Sequence, residues 1–552
     1  MRTSQRISEP TNGKPRICNL LPPISLLLVG SLVLGAFALN AHHFTEGRSG
    51  VPWGVPLDDA WIHFQFARNL ARGDGLSFNP GQPTSGSTAP LWTLLLAGVY
   101  LAGGDFPIAG QALSAACYLA MLAATYALGK QLTGRRWAAW LAGMVVALNG
   151  RMVWAGLSAL EICLFAALSL LAIGAHLHDR VAHRYRLRTA ALFGLAALSR
   201  PEGYLLFALA MADYMWSIQR ITASNQRLPE SRFTHHVLRI LRQLPLLPIA
   251  LFALIILPYL LFSYHTSGHL LPNTCHAKAA VGFLPDRAFR DSLSVSATYL
   301  ILDNPLLLPF LLFGIILLLY KPASLLSLWC AALPLAYAFI RASLYQHGRY
   351  LMPLVPCNAV VAVWGMLEVR KFLLNRKGAK KYRKSLGALC VFAVRKLASA
   401  GRWTVVVIAV LVVAGTAWRL PEMATLYAWN VDNINQMHVA LGHWIAENTS
   451  PGDGVALNDI GAITYIAERK AVDLAGLVTP EITPAMRSPA QTQQLIDYLA
   501  GQDVAYVVIF PNWFPGLAER SDVLTEVRRV TLERNTIAGG ETMVVYRANW
   551  QR

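Results

Sequence analysis

Residues 23–40 are apolar almost without interruption, and similar segments recur at 108–129, 137–150, 155–177, 188–200, 201–217, 244–265, 304–320, 323–340, 350–369 and 403–419. A helix rises about 1.5 Å per residue, so roughly 20 apolar residues cross the hydrocarbon core of a bilayer. The pattern predicts a polytopic α-helical membrane protein with about eleven transmembrane helices. Only 14% of residues are charged while 55% are hydrophobic, against about 25% charged in soluble domains. A large soluble enzyme is thereby excluded. One further apolar stretch, 89–102, is short and follows the turn-rich Asn79-Pro80-Gly81-Gln82-Pro83-Thr84-Ser85-Gly86. It is expected to be re-entrant or interfacial.

The net charge of +18 is concentrated in loops, around 130–136, 178–188, 218–242 and 370–402. That distribution follows the positive-inside rule rather than a nucleic-acid surface, so no nucleic-acid partner is expected. With these loops cytoplasmic, the tail 1–22 is cytoplasmic as well. The transmembrane domain is then 23–429, and its first loop, 41–107, faces the outer side. Arg2, Arg6, Lys14 and Arg16 precede the first apolar run; this lead is long for a signal peptide, so the first helix is expected to be retained. The seven cysteines show no CxxC spacing, so neither a disulfide framework nor a zinc site is expected.

From residue 430 the composition changes. Residues 430–552 hold fourteen acids and nine bases, a balance opposite in sign to the inner loops. Val455–Leu457, Ala471–Leu474 and Ala505–Ile509 read as strands, Ala462–Glu468 and Gln493–Ala500 as helices, and Val530–Arg534 with Met543–Tyr546 as a hairpin around Gly539-Gly540. The fold class is therefore a membrane helix bundle carrying a small C-terminal α/β domain on its periplasmic side.

In this apolar chain the adjacent acids Asp58 and Asp59 are conspicuous. They open a helical pattern, Ala60–Ala71, that stops at Gly73 and Gly75. Helix capping needs one acid and leaves the second without a reason. Adjacent helical positions diverge by about 100°, so the two carboxylates take different directions. Asp59 and His63, four apart, can meet. Further candidates fall on the same expected side: Glu161, Arg200 in Arg200-Pro201-Glu202-Gly203, Asn273 and Lys278 in Pro272-Asn273-Thr274-Cys275-His276-Ala277-Lys278, and His347 and Arg349 in His347-Gly348-Arg349-Tyr350. Snorkelling at helix ends accounts for a single such cation. Several beside an acid pair favour an anion site, with Arg forks and Lys point charges holding a phosphate. Asn458-Asp459-Ile460-Gly461 reads as a capped helix start with a tight glycine turn in preference to a binding motif. No dinucleotide, Walker, HExxH or GxSxG motif stands in a supporting context.

The run Asp58-Asp59-Ala60-Trp61, with Asn69-Leu70-Ala71-Arg72-Gly73-Asp74-Gly75, Asn79-Pro80-Gly81 and Ser85-Gly86-Ser87-Thr88-Ala89-Pro90, resembles the first outer loop of bacterial GT-C glycosyltransferases. Leu160-Glu161, Arg200-Pro201-Glu202-Gly203, Pro272-Asn273-Thr274, His347-Gly348-Arg349-Tyr350 and Asn458-Asp459-Ile460-Gly461 follow in matching order. The nearest resemblance is to the terminal β-1,2-arabinofuranosyltransferase group. Ala159 and Cys275-His276 depart from its pattern, in places that bear on donor and acceptor identity.

The resemblance implies an inverting enzyme of the bacterial inner membrane. It would move a sugar, arabinofuranose in that group, from a polyprenyl-phosphate donor to a periplasmic glycan, glycolipid or glycoprotein. The residues agree with that chemistry. One carboxylate serves as general base, whereas a polyprenyl phosphate leaves as a stabilised anion and needs cations rather than a second acid. Asp58 is assigned as base, and Asp59 as its partner in orientation, capping or contact with a divalent cation. No other cofactor is expected. Arg349, Lys278 and Arg200 are assigned to the donor phosphate. Asn79, Thr84, Ser85 and Ser87 are candidate sugar contacts, and His63, Asn273, His347 and Glu161 complete the candidate site. Two alternatives are a flippase for lipid-linked sugars, which would need ionisable residues at mid-membrane and repeated halves, and a non-catalytic envelope scaffold.

Overall fold

The computed structural model describes residues 20–224, 244–278, 286–340, 345–374, 402–486, 488 and 490–550. The first helix, α1 (Leu21–Glu46), shows how the bundle is built. Leu26, Gly30, Leu34, Phe37 and Ala41 are buried along one stripe, while Leu28 and Leu32 are exposed. Their spacing of three to four residues is one face of a helix. The exposed face is apolar too, as a lipid-facing surface requires. A Cβ at Gly30 would lie 2.6 Å from Leu122 on α4 (Ile108–Thr133), so a small residue there lets the helices touch.

Between these two lie α2 (Asp59–Arg72) and α3 (Pro90–Leu101), both in the first loop region. After α4 come α5 (Arg136–Ala147) and α6 (Gly150–Gly156), which meet at 71°. Asn149 accepts from the Met152 amide at 3.1 Å and starts α6 afresh. The helix α7 (Ile162–Ala182) begins only after the turn at 157–161. The expected spans 137–150 and 155–177 are corrected accordingly: residues 155–156 belong to α6, and Glu161 sits at the N-terminal end of α7.

The chain continues through α8 (Leu187–Ser199), α9 (Glu202–Ser224), α10 (Leu246–Ser267), the short α11 (Asn273–Lys278), α12 (Arg287–Asp303), α13 (Leu308–Leu318), α14 (Ser324–Ile340), α15 (Val355–Leu374) and α16 (Arg402–Ala417). The helix α12, absent from the sequence reading, meets α13 at 116°. Among the described residues six helices are long and apolar enough to cross a membrane, and eight if each bent pair is one span. Three shorter apolar helices, α3, α8 and α14, accompany them. The basic loops around 218–242 and 370–402 lie largely outside the described residues.

Buried charges within the bundle are paired. His176 on α7 pairs with Asp213 on α9 (2.9 Å), and Arg180 reaches both Asp213 (3.2 Å) and the Ser324 hydroxyl on α14 (2.8 Å). All four are buried. Charges cost several kcal/mol to bury unless paired, and here they are paired across three helices.

Beyond α16, α17 (Leu420–Ile434) runs through a wide turn at Asn435–Val439 into α18 (Ala440–Asn448). A five-stranded sheet follows, of order β2-β1-β3-β5-β4. Its strands are β1 (Gly454–Leu457), β2 (Ala471–Asp473), β3 (Val504–Ile509), β4 (Leu524–Thr531) and β5 (Thr542–Ala548). The first three are parallel, and β5 runs antiparallel to β3 and β4. Alternate residues face opposite sides of a sheet. Val455, Leu457 and Val508 pack with Leu441 and Ile445 of α18 and with Phe66 and Phe78 of the first loop. Ala456, Val507 and Ile509 pack against α20 (Gln491–Gly501) on the other side. The first loop therefore shares a hydrophobic core with the C-terminal domain. Full burial of Phe66 and Phe78 stabilises that union by about 1.5–3 kcal/mol each.

Candidate active site

The approach to α2 is held from the C-terminal side. The Asn435 amide donates to the Val51 carbonyl (3.2 Å), and a Cβ on Gly54 would meet Asn435. Asp58 then stands at the N-cap position of α2, yet its side chain makes no capping bond there. Its two oxygens instead accept the backbone N–H groups of Gly461 and Ala462, each at 2.8 Å. These open the short helix α19 (Gly461–Ala467) of the C-terminal domain. The cap anticipated at Asn458–Gly461 therefore exists, but Asp58, some four hundred residues earlier in the chain, supplies it.

Gly461 is glycine because of this contact: a Cβ there would lie 2.2 Å from the Asp58 carbonyl oxygen and 2.6 Å from its carboxyl carbon. Alanine in an ordinary helix is about 1 kcal/mol better than glycine. Here Gly461→Ala is expected to lower stability by about 1–3 kcal/mol through overpacking. Thermal unfolding of the purified protein checks the sign; stabilisation would contradict the contact.

Burial raises the Asp58 carboxyl from its ordinary value near 3.8 to about 6; nearby His438 opposes the rise, the charge of Asp459 adds to it, and the two backbone donors oppose it. His438 Nε2 lies 3.0 Å from Asp459 Oδ2. Asp58, His438 and Asp459 bring three ligand atoms within 4.8 Å of one another, a donor set that a divalent cation accepts, as do His42, His43 and Glu46 at the exposed end of α1. In the first group His438 Nε2 pairs with Asp459 and Asp58 holds the start of α19, while His438 Nδ1 is buried without a hydrogen bond among the described residues. The group joins the first loop to the C-terminal domain.

Asp59 points elsewhere. Its side chain is 30% exposed, and Oδ2 accepts from Arg349 Nη2 at 2.6 Å. Arg349 also reaches the Tyr350 hydroxyl (3.3 Å), and its guanidinium sits 5.1 Å from the centre of the Tyr350 ring. The Arg200 guanidinium lies 5.3 Å from the same ring. Arg200 is fully engaged with two carboxylates: Nη1 donates to Glu161 Oε1 (2.6 Å), while Nε (3.0 Å) and Nη2 (2.7 Å) donate to Glu202 Oε1. Tyr337 donates to the same Glu202 oxygen. His63 Nε2 lies 3.4 Å from Glu161 Oε2. Asp59, His63, Glu161, Arg200 and Arg349 are therefore brought into one polar cluster beside α2. Arg200, read from sequence as a free phosphate ligand, is corrected to a strut between Glu161 and Glu202. Arg349 Nε, Glu161 Oε2, Glu202 Oε2 and His63 Nδ1 are buried without a hydrogen bond among the described residues. Buried polar atoms normally have partners; Glu161 Oε2 has the His63 ring nitrogen at 3.4 Å as an ion-pair neighbour.

The aim of Arg349 is set by backbone. Gln346, His347 and Gly348 are consecutively left-handed, with φ of 56°, 61° and 62°. Such conformations cost about 1–2 kcal/mol for residues with a side chain. Arg151 offsets this, donating to the carbonyls of His347 (2.8 Å) and Gly348 (3.0 Å) while pairing with Asp303 (2.8 Å). At Gly348 a Cβ would meet the Tyr299 ring at 2.4 Å.

The remaining candidates divide. His347 turns to Asn430 (2.8 Å) and packs edge-on to Trp154, so its placement is structural and its assignment to the substrate site is corrected. Ser87 bonds Thr93 (3.0 Å). Asn79 bonds Ala471 in both directions (2.9 Å), and Thr84 donates to the Val478 carbonyl (3.4 Å), so these expected sugar contacts instead fasten the first loop. Ser85 Oγ and Asn273 Nδ2 are buried without a partner among the described residues, next to a turn held by Thr274 through Gly86 (2.6 Å) and by Tyr259 through Ser87. The Lys278 side chain lies outside the described residues. Glu202, Tyr337, Tyr350, His438 and Asp459 were not singled out. Tyr350 and Glu202 stand inside motifs already noted, and adjacency to Arg349 and Arg200 was the available signal.

Residues 429–551 match a family described as a domain of unknown function (DUF8728). Among curated proteins, none matches the sequence. Solved structures do share the fold. ArnT from Cupriavidus metallidurans bound to undecaprenyl phosphate superposes with a TM-score of 0.57 at 12% identity, covering 96% of this chain and 98% of that one. The oligosaccharyltransferase AglB from Archaeoglobus fulgidus, in complex with an inhibitory peptide and a dolichol-phosphate, gives 0.52 at 14% identity over 90% and 70% of the chains. The chain thus shares the helix-rich fold of these two solved proteins.

Proposed function

We propose that this protein is a membrane glycosyltransferase that moves a sugar from a polyprenyl-phosphate donor to a glycan or glycoconjugate acceptor on the outer side of the inner membrane. The observation that carries this is the Asp59–Arg349 contact: a half-buried carboxylate touching a buried guanidinium. It joins the first loop to Arg349 in a fold of which two solved members are bound to undecaprenyl phosphate and a dolichol-phosphate. Arabinofuranose is the sugar suggested by the first-loop motif.

In this reading the acceptor hydroxyl loses its proton to Asp59 as its oxygen attacks the anomeric carbon. The bond from that carbon to the phosphate oxygen breaks with inversion, and the electron pair leaves with the polyprenyl phosphate. The departing group gains one negative charge, and an arginine beside it stabilises that charge in a site shielded from water. Arg349 has the donors to do so. Its contact with Asp59 orients the carboxylate until a donor phosphate competes for the same guanidinium. Asp58, saturated by two backbone N–H groups, is a positioning residue: it fixes the start of α2 against the C-terminal domain. The base assignment accordingly passes from Asp58 to Asp59.

Binding tests the arginine. Purified protein in detergent is expected to retain undecaprenyl phosphate in native mass spectrometry, and Arg349→Gln to weaken it by about tenfold or more, as loss of a hydrogen bond to a charged group would. Equal binding by the variant would remove Arg349 from the donor site.

A further inference from the structure

We infer that the cleft between the first loop and the C-terminal domain binds the acceptor as a neutral oligosaccharide, an inference that rests on the glycosyl-transfer reading. The cleft holds about 380 Å³, within the range of roughly 300–1,000 Å³ typical of ligand sites. One wall carries Gln82 and Thr84 from the first loop, and the other carries Lys470, Glu481, Tyr498 and Gln502 from the C-terminal domain.

Both walls are preformed. Asn79 and Ala471 tie them together by two bonds of 2.9 Å. Thr84 is held to Leu76 (3.1 Å) and Val478, and Asp473 accepts the amides of Leu477 (2.5 Å) and Val478 (2.9 Å). The lining chemistry selects the ligand. Its one lysine and one glutamate cancel, so it lacks the excess cation that an anionic ligand needs. It has no continuous apolar surface for a lipid chain. It does present amides of Gln82 and Gln502, which both donate and accept, and the ring of Tyr498. Gln82, Lys470, Glu481 and Gln502 make no side-chain hydrogen bond among the described residues. Sugar hydroxyls pair with such amides, and the C–H face of a sugar ring packs on an aromatic ring.

The first-loop wall of the cleft leads on along the chain to Gly86. Gly86, two residues beyond Thr84, packs against Val478 so closely that a Cβ would lie 2.5 Å from it, and its carbonyl is held by Thr274 beside Asn273. A chain lying in the cleft would thus run toward the turn that carries Ser85.

The test is binding by full-length protein in nanodiscs, with three linear probes: a neutral arabinofuranose hexasaccharide, a neutral mannose hexasaccharide and an acidic galacturonate hexasaccharide. At least one neutral probe is expected to bind in preference to the acidic one. Gln82→Leu with Gln502→Leu is expected to weaken it roughly tenfold, as loss of two or so hydrogen bonds would. Equal binding by the double variant, preference for the acidic probe, or no binding of either neutral probe would overturn the inference. If a neutral probe binds in the cleft but no sugar is ever transferred, the transferase reading falls and the saccharide site stands.

Discussion

Asp59→Asn is expected to reduce sugar transfer by about 10²–10⁴-fold, the usual contribution of a general base, and to leave the fold intact. The side chain is partly exposed, and asparagine keeps its shape and one acceptor toward Arg349. Asp58→Asn is expected to behave differently. Its two oxygens hold two backbone N–H groups, and an amide can serve only one of them as acceptor. The other donor is left buried and unpaired, a cost of about 1–3 kcal/mol. That variant should lose stability first and activity in consequence. Turnover assays and thermal unfolding on both variants separate the two roles. Wild-type turnover by Asp59→Asn, with Asp58→Asn inactive and fully stable, would return the base to Asp58.

Arg200→Met is expected to be the most destabilising single change in the site. Arg200 is the cation between Glu161 and Glu202, and all three side chains are nearly inaccessible. The pairs themselves contribute little over an apolar core, but removing one partner leaves buried charge uncompensated, at about 3–5 kcal/mol. Arg200→Lys should recover part of this, since an ammonium supplies charge without the fork that reaches two carboxylates at once. Thermal unfolding in detergent measures it. A melting temperature equal to wild type for Arg200→Met would show that the glutamates are not held by this arginine.

Much of the architecture was legible because membrane burial writes itself into composition. The unbroken apolar run of α1 and the short apolar runs of β1 and β3, which are covered on both faces, are read from length and composition. The bends were less legible. The expected spans 137–150 and 155–177 put a single break at 151–154, where the chain instead forms α6 between the capping bond of Asn149 and the turn at 157–161. At the site, sequence identified the acid pair and the motifs around Arg349 and Arg200. It could not tell the two carboxylates apart, because what distinguishes them is a backbone 403 residues away. Arg200 looked like a free cation for a related reason: Glu161 lies on another helix, and no local spacing links them. His438 carries no motif, and Asp459 stands in one read as a helix cap; their meaning comes from docking against Asp58.

The central claim is glycosyl transfer that depends on Asp59. Mass spectrometry of envelope glycans and glycoconjugates from a deletion strain, complemented with wild type or with Asp59→Asn, measures it whichever sugar is transferred. One terminal sugar should be missing in the deletion, restored by the wild-type chain and still absent with the variant. Glycans unchanged by the deletion, or restored equally by Asp59→Asn, would contradict it.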